Sequence, residues 1–523
     1  MRRALERLGS CFPAAIAVAL PIVFIPGAVD SFILPRASIV VGGACVGAGL
    51  ALLVRGGPGS GAIRWPLIAA AAAAVLAFLT STSWGLSFAG SYTRYESLPV
   101  RLAYLGLFAV PVWLTRGQRS RDAVVAAFVG GTAVASLEAM YQLLAQASYR
   151  PDGNLGNANL LGALIAMAFP LAVARALRGG WQTALWSAGI VVLASGLYAS
   201  TSRSGGVGAL AGCATFAVLA LRGRAALAAA VAGAGVVGAA LVAIVVSPLR
   251  LLNGDPGPAR IHLWHDAVGF IAARPWTGWG EDTTGLRFGR FLTADWSPGV
   301  TFDRLHSGPL DVAATQGLLG VAALACVLWV FARGAWRQRR VESVGPLAAA
   351  CAAYTAWVLF NFDWAPATGA FWLLAGTAWA GVRSAETEVS AAAPAITPPA
   401  SAGWWRSTLA VGLAVAAIGL AVLPVLADVW YYDGRAELAV MVDPAQARYH
   451  WALGDALVAR GSLARGVAEL QLAADLGETE PTLYVDLGDR QKELGRVSLA
   501  VSAYRRAIEI DPYYVPALQR LAR

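Results

Sequence analysis

The chain has 523 residues, of which 57% are hydrophobic and only 14% charged, and its mean hydropathy is +0.59. An ordinary soluble domain carries about 25% charged residues, so this composition excludes a soluble enzyme and makes lipid the main solvent. The formal charge of +9 does not mark a nucleic-acid partner, because most arginines sit in short loops between apolar runs, where they report topology.

The apolar runs, in chain order, predict thirteen membrane helices: 11–28, 33–54, 65–83, 99–114, 123–145, 158–176, 183–199, 205–221, 225–246, 309–332, 345–360, 368–382 and 408–427. The first resembles a signal peptide, but further apolar runs follow at once without a clear small-residue cleavage pattern, so it is read as a membrane helix. Seven connectors are arginine-rich: 1–7, 55–64, 116–121, 175–178, 222–224, 333–340 and 383–406. By the positive-inside rule these are cytoplasmic, with a cytoplasmic N terminus, and the other loops and the C-terminal tail face outward. The expected organisation is therefore a transmembrane domain at 1–384 with a large outer loop at 247–308, an Ala/Pro linker at 385–407, a last span at 408–427 and an outer domain at 428–523. The five cysteines (Cys11, Cys45, Cys213, Cys326, Cys351) show no CxxC or Cys/His grouping and are read as buried small hydrophobes.

The tail carries an internal repeat. Leu453 and Gly454 return thirty-four residues on as Leu487 and Gly488, and Ala473 returns as Ala507, which is tetratricopeptide spacing. Tyr484, Leu487, Gly488, Ala500, Tyr504, Ala507 and Pro512 fill the positions of one full copy. Ala439 and Pro444 end a degenerate first copy, and Leu518 and Leu521 begin a truncated last one. So few repeats are close to the minimum for a stable stack, so the domain is expected to lean on the membrane part or on a protein partner.

Chemistry-bearing residues gather in the outward loops. His306, where the long loop re-enters the membrane, has an imidazole able to take a proton from a hydroxyl near neutral pH. His306 and Ser307 are followed after nine residues by Gly317-Leu318-Leu319-Gly320. This spacing resembles the signature of the bacterial O-antigen ligase and polymerase superfamily. Arg203 to Val207 resembles the family's second pattern, an arginine at the outer end of a helix followed four residues later by leucine, here valine. Three further stretches are similar to members with C-terminal tetratricopeptide repeats: Gly90 to Glu96, Gly153 to Asn159, and Arg260 to Gly280 with Pro275-Trp276-Thr277-Gly278-Trp279-Gly280.

The resemblance implies an all-α polytopic glycosyltransferase of the bacterial inner membrane. It would move a glycan from an undecaprenyl-diphosphate donor to a glycan, lipid or protein acceptor hydroxyl at the outer face. On that reading His306 is the general base and Asp363 its orienting carboxylate, with Asp303 and Asp311 as alternatives. Arg203, Arg260, Arg94 and Arg304 bind the donor diphosphate through bidentate guanidinium contacts. Asn157 and Asn159 either bind donor sugars or are simply turn and helix-cap residues, and Trp279, like Trp264, Trp276 and Trp296, either stacks on sugars or belongs to the interfacial aromatic belt. The absence of a DxD pattern implies no metal, and no cofactor is expected. Ligase, chain polymerase and protein O-oligosaccharyltransferase stay open within the family. A transporter or flippase is the rival class, but it would place ionisable residues deep in several helices.

Overall fold

The computed structural model describes residues 2–54, 61–115, 117–221, 257–390 and 403–523, with a few residues between 223 and 235; the expected span at 225–246 falls mostly outside them. The described residues form helices with no strand. Nine of these helices are long and apolar enough to cross a membrane, so the protein is a polytopic membrane protein. They include α1 (Arg2–Ile22), α2 (Ile33–Val54), α3 (Arg64–Leu79), α6 (Gln118–Leu144), α7 (Ala158–Ala176), α8 (Gln182–Ser200) and α9 (Arg203–Ala220). Short α4 (Trp84–Ala89) and apolar α5 (Leu98–Leu114) lie between α3 and α6.

After α10 (Gly257–Ala273) and the single turn α11 (Thr284–Arg287), the chain re-enters at α12 (Gly308–Arg337) and turns back through α13 (Val344–Val358) and α14 (Ala365–Ser390). Helix α14 is buried on all sides from Ala365 to Val382, against α2, α5 and α13. Its mixture of small residues and tryptophans is less hydropathic than the lipid-facing spans because its environment is protein. The last span, Gly403–Tyr432, is longer than the predicted 408–427 and consists of α15 (Gly403–Ala417), a π-helical turn at Ile418–Val422 and α16 (Leu423–Tyr432). Of the cysteines, only Cys351 is buried. Cys11 and Cys326 lie on exposed helix faces, which corrects the expectation that all five are core residues; a lipid-facing surface accepts the same small apolar group.

Beyond the last span lie α17 (Ala436–Val442), two antiparallel hairpins, α18 (Ala447–Ala459) with α19 (Leu463–Leu476) and α20 (Pro481–Glu493) with α21 (Val497–Ile510), and a short final α22 (Val515–Leu521). The hairpins are equivalent at the thirty-four-residue offset seen in the sequence, Ala447 corresponding to Pro481 and Leu463 to Val497. Gly454 lets α18 press against Leu470 and Gly466, and Gly488 lies under the Tyr504 ring. Ala473 and Ala507 are fully buried. The hairpin core continues into the membrane part, since Leu86 and Leu286 join Leu470, Leu483 and Ile510.

The two parts meet at Asp428, fully buried near the end of the last span. It accepts hydrogen bonds from the Asp30 amide (2.8 Å), the Tyr92 hydroxyl (2.5 Å) and the Tyr449 hydroxyl (3.1 Å). Helix alternation brings the N-terminal ends of α2, α5, α7, α9, α12 and α14 to the same face as this junction. The loops holding the sequence motifs therefore share one face with the hairpins.

Candidate active site

His306 is held in a turn that the sequence does not announce. Its φ is +51°, a conformation that bulky residues rarely adopt, so the surrounding bonds must fix it. The Leu305 amide donates to Asp311 (2.9 Å) and the Leu305 carbonyl accepts from the Trp264 indole (2.9 Å), clamping the turn on both sides. The half-buried imidazole meets Phe362 edge to face at 5.3 Å.

The motif that follows gains a physical meaning. Helix α12 breaks at Gly317 (φ +68°, ψ −169°), and the Pro275–Gly280 segment docks into the break. Trp279 and Gly280 donate their amides to the carbonyls of Ala314 (2.9 Å) and Thr315 (3.0 Å). Leu318 and Leu319 donate to those of Pro275 (2.7 Å) and Trp276 (3.3 Å). Backbone groups freed by the break are thus satisfied by the inserted segment, as burial requires. A Cβ on Gly317 would lie 2.3 Å from the Trp276 carbonyl carbon, and one on Gly278 2.4 Å from that of Thr315, so neither position accepts a side chain.

Beside the break lies a buried charge network. Arg101, three residues into α5, contacts Glu281 (3.1 Å), Asp363 (2.5 Å) and Glu96 (3.6 Å). Tyr104 donates to Glu96 (2.5 Å), Gln316 to Glu281 (2.6 Å) and Tyr354 to Asp363 (2.8 Å). Burial pushes the Glu96 carboxyl up to about 7, against the pull of Arg101. Next to it Arg304 is ion-paired with Asp282, which also accepts from the amides of Ser91 (2.8 Å) and Glu96 (3.1 Å).

This arrangement revises several sequence expectations. Arg304 is 1% exposed and committed to Asp282, so it organises the Gly90–Glu96 turn and presents no surface to a diphosphate. Asp363, expected to orient His306, has one oxygen on Arg101 and the other on Tyr354. Asp311 acts on the backbone beside His306, and Asp303 pairs with Arg94 at 2.5 Å. Trp279 is stacked on Phe270 at 5.0 Å with its indole N–H on the Phe270 carbonyl and Arg274 against its ring, so it is a core residue of the loop rather than a sugar platform. Asn157 caps α7 by accepting from the Asn159 amide (2.8 Å). The Asn159 side chain accepts from Ser202 (3.2 Å) and Arg150 (2.8 Å). Trp296 donates to Asp266 (3.1 Å), while Trp276 is exposed.

Of the expected residues, Arg94 and His306 meet at one ring. Arg94 lies over the rings of Phe362 (5.1 Å) and Trp364 (4.7 Å), the same Phe362 that His306 meets. Arg203 opens α9 directly after the cap residue Ser202, whose hydroxyl joins it to Asn159. Gly208 packs α9 against Ala353 and Trp357 of α13, the helix that leads into Asn361–Trp364. Arg260 lies near the start of α10, half-buried. Among the described residues no group of three His, Cys, Asp or Glu is arranged to hold a metal ion.

The sequence reading missed Arg101, Glu96, Glu281, Asp282 and also Arg36. The last is fully buried and donates to the carbonyls of Leu20, Phe32, Pro21 and Asn154, fixing the Gly153–Asn159 loop. An arginine a few residues inside an apolar run was the available signal for both arginines.

A family model described as O-antigen ligase matches residues 188–325, from within α8 to the second half of α12. Over these residues the match supports the likeness to the O-antigen ligase superfamily. The matched ligase segment contains Arg203, Arg260, Arg304, His306 and the Gly317 break, while Arg94, Arg101 and Asp363 lie outside it. No curated protein matches the chain significantly.

Proposed function

We propose that the protein transfers a glycan from an undecaprenyl-diphosphate donor to an acceptor hydroxyl at the outer face of the bacterial inner membrane, by a single inverting displacement. The observation that carries this reading is the convergence of His306 and Arg94 on Phe362, within a chain similar to the ligase superfamily, above a groove suited to a polyprenyl tail. That groove starts at Arg101, Tyr104 and Asp363, runs between α12, α13 and α14 past Leu328, and continues along apolar walls to Phe331 and Trp336. An isoprenoid lying there would leave its diphosphate at the polar end, next to the loops.

His306 is the base that takes the acceptor proton as the hydroxyl oxygen attacks the anomeric carbon and the lipid diphosphate leaves. Arg203, Arg260 and Arg94 carry the leaving-group charge, guanidinium being permanently cationic and able to grip two phosphate oxygens at once. The buried network around Arg101 holds the Glu96, Glu281 and Asp363 segments in register beneath them. The hairpins are tetratricopeptide repeats on the same outer side. The loop-rich face, not the helix interiors, holds the candidate groups, which favours transfer over transport.

The test is reconstitution of the purified protein in proteoliposomes with a radiolabelled undecaprenyl-diphosphate glycan. Label should leave the lipid for an acceptor, with undecaprenyl diphosphate as co-product. Which acceptor takes it separates ligase, polymerase and protein glycosylation. Translocation of intact lipid-linked glycan without bond cleavage would overturn the reading in favour of a flippase.

A further inference from the structure

A second polar cleft lies between the membrane part and the hairpins, away from His306. One wall is the segment Ser81–Gly85 after α3, another is Leu286–Arg287, and the third comes from the end of α19 and from Arg506 of α21; together they enclose about 450 Å³. Clefts between two structural units are where ligands are commonly taken.

The charges in it are unbalanced. Arg287, Arg290 and Arg506 stand near one another, and a single carboxylate, Glu509, serves both Arg290 (2.6 Å) and Arg506. Among the described residues no carboxylate pairs with Arg287, whose one hydrogen bond is a long contact from Nη2 to the Thr82 carbonyl (3.4 Å), and whose buried Nε has no partner. Asp475, at the rim, is bonded to Gln471. A partly buried guanidinium held by one long hydrogen bond is costly, and burial together with the neighbouring arginines lowers its proton affinity. Both penalties vanish when an anion enters. Beside the guanidinium groups the cleft is lined by Thr82 and Ser83, whose hydroxyls donate to the Trp279 and Leu476 carbonyls, and by the 63% exposed indole of Trp84. Cationic charge and an open aromatic face are means by which proteins hold acidic sugars.

We propose that this cleft binds an anionic saccharide, a sugar chain bearing carboxylate or phosphate groups, gripped by Arg287 and Arg506 with Trp84 as its stacking surface. The choice of a saccharide over a bare anion rests on the glycosyltransferase reading; the cationic cleft itself does not. Because the hairpins supply one wall, the site exists only when they are docked, and it would give them a direct part in holding the glycan.

The experiment is calorimetric titration of the full-length protein in nanodiscs with tetragalacturonate, and with maltotetraose and inorganic phosphate as the neutral and sugar-free comparisons. Tetragalacturonate should bind at least ten times more tightly than either, with affinity falling as salt rises. Arg287→Ala and Arg506→Ala should each weaken it tenfold or more. Trp84→Ala, at a 63% exposed position, should weaken it severalfold, and His306→Ala should leave it unchanged. Unaltered affinity in the arginine variants would overturn the proposal, as would phosphate binding as tightly as the tetrasaccharide. The titration needs no donor and no turnover, so its failure would leave the transfer reaction to be judged separately.

Discussion

Replacing Arg101 by methionine should destabilise the protein through electrostatics rather than through lost volume. The guanidinium is 8% exposed and stands between Glu96 and Glu281, both fully buried, and Asp363, 14% exposed. Methionine keeps most of the apolar stem and removes the cation, leaving three carboxylates around an uncompensated hole. Breaking a buried pair by deleting one partner costs about 3–5 kcal/mol, and each 1.4 kcal/mol is roughly a factor of ten in an equilibrium constant. Between two and three and a half orders of magnitude in folded population are therefore at stake. Glu96, already held near 7 by burial, would take up a proton and relieve part of the cost. The assay is the fraction of detergent-solubilised protein that survives a heat step as a monodisperse species. Arg101→Met should lose stability sharply, and adding Glu281→Gln should restore part of it by removing one stranded charge. An Arg101→Met protein as heat-resistant as the parent, or a double variant worse than the single one, would refute the electrostatic reasoning.

Arg203→Lys should impair transfer severely although charge is kept, because an ammonium cannot reproduce the two-pronged grip on a diphosphate; full activity would make Arg203 a surface anchor. Alkaline phosphatase fused after Asp428 should be active, and fused at Arg340 inactive, if the arginine-rich connectors face the cytoplasm; the reverse pattern would move the site to the other side. Burial raises Asp443, in the loop before the first hairpin, to about 6. The folded protein then holds a proton there between about pH 4 and 6 that the unfolded chain has released, so stability should fall as pH rises through that window and level off above it. Asp443→Asn should flatten that part of the pH–stability profile, and an unchanged slope would exclude the group as its source.

The sequence was most informative where lipid is the environment. The bounds of α2 and α7 coincide with the predicted 33–54 and 158–176, because a span ends where apolar residues end. The repeat register was legible too, since Gly454 and Gly488 mark places where two helices touch. The break at Gly317 was not, because Leu318 and Leu319 continue the apolar run and nothing local shows that Pro275–Gly280 enters there. The charge network was equally hidden. Arg101 and Glu281 are 180 residues apart, and each in isolation looks like an ordinary charge beside a span. Residue type and loop position suggest Asp363 as the partner of His306 and Trp279 as a sugar platform, but their partners, Arg101 and Phe270, are set by tertiary packing. Asn157 fits its simpler reading, a helix cap.

The most direct test is the rate of glycan transfer by His306→Ala in proteoliposomes containing the lipid-linked donor. Losing a positioned general base should slow transfer by roughly a hundredfold to ten-thousandfold. Retention of the labelled donor should persist, because the diphosphate is assigned to the arginines, and the parent's activity should fall on the acidic side of neutrality as the imidazole becomes protonated. A variant that transfers at the parent's rate, or one that loses donor binding while keeping its turnover at saturating donor, would contradict the assignment of His306 as the base.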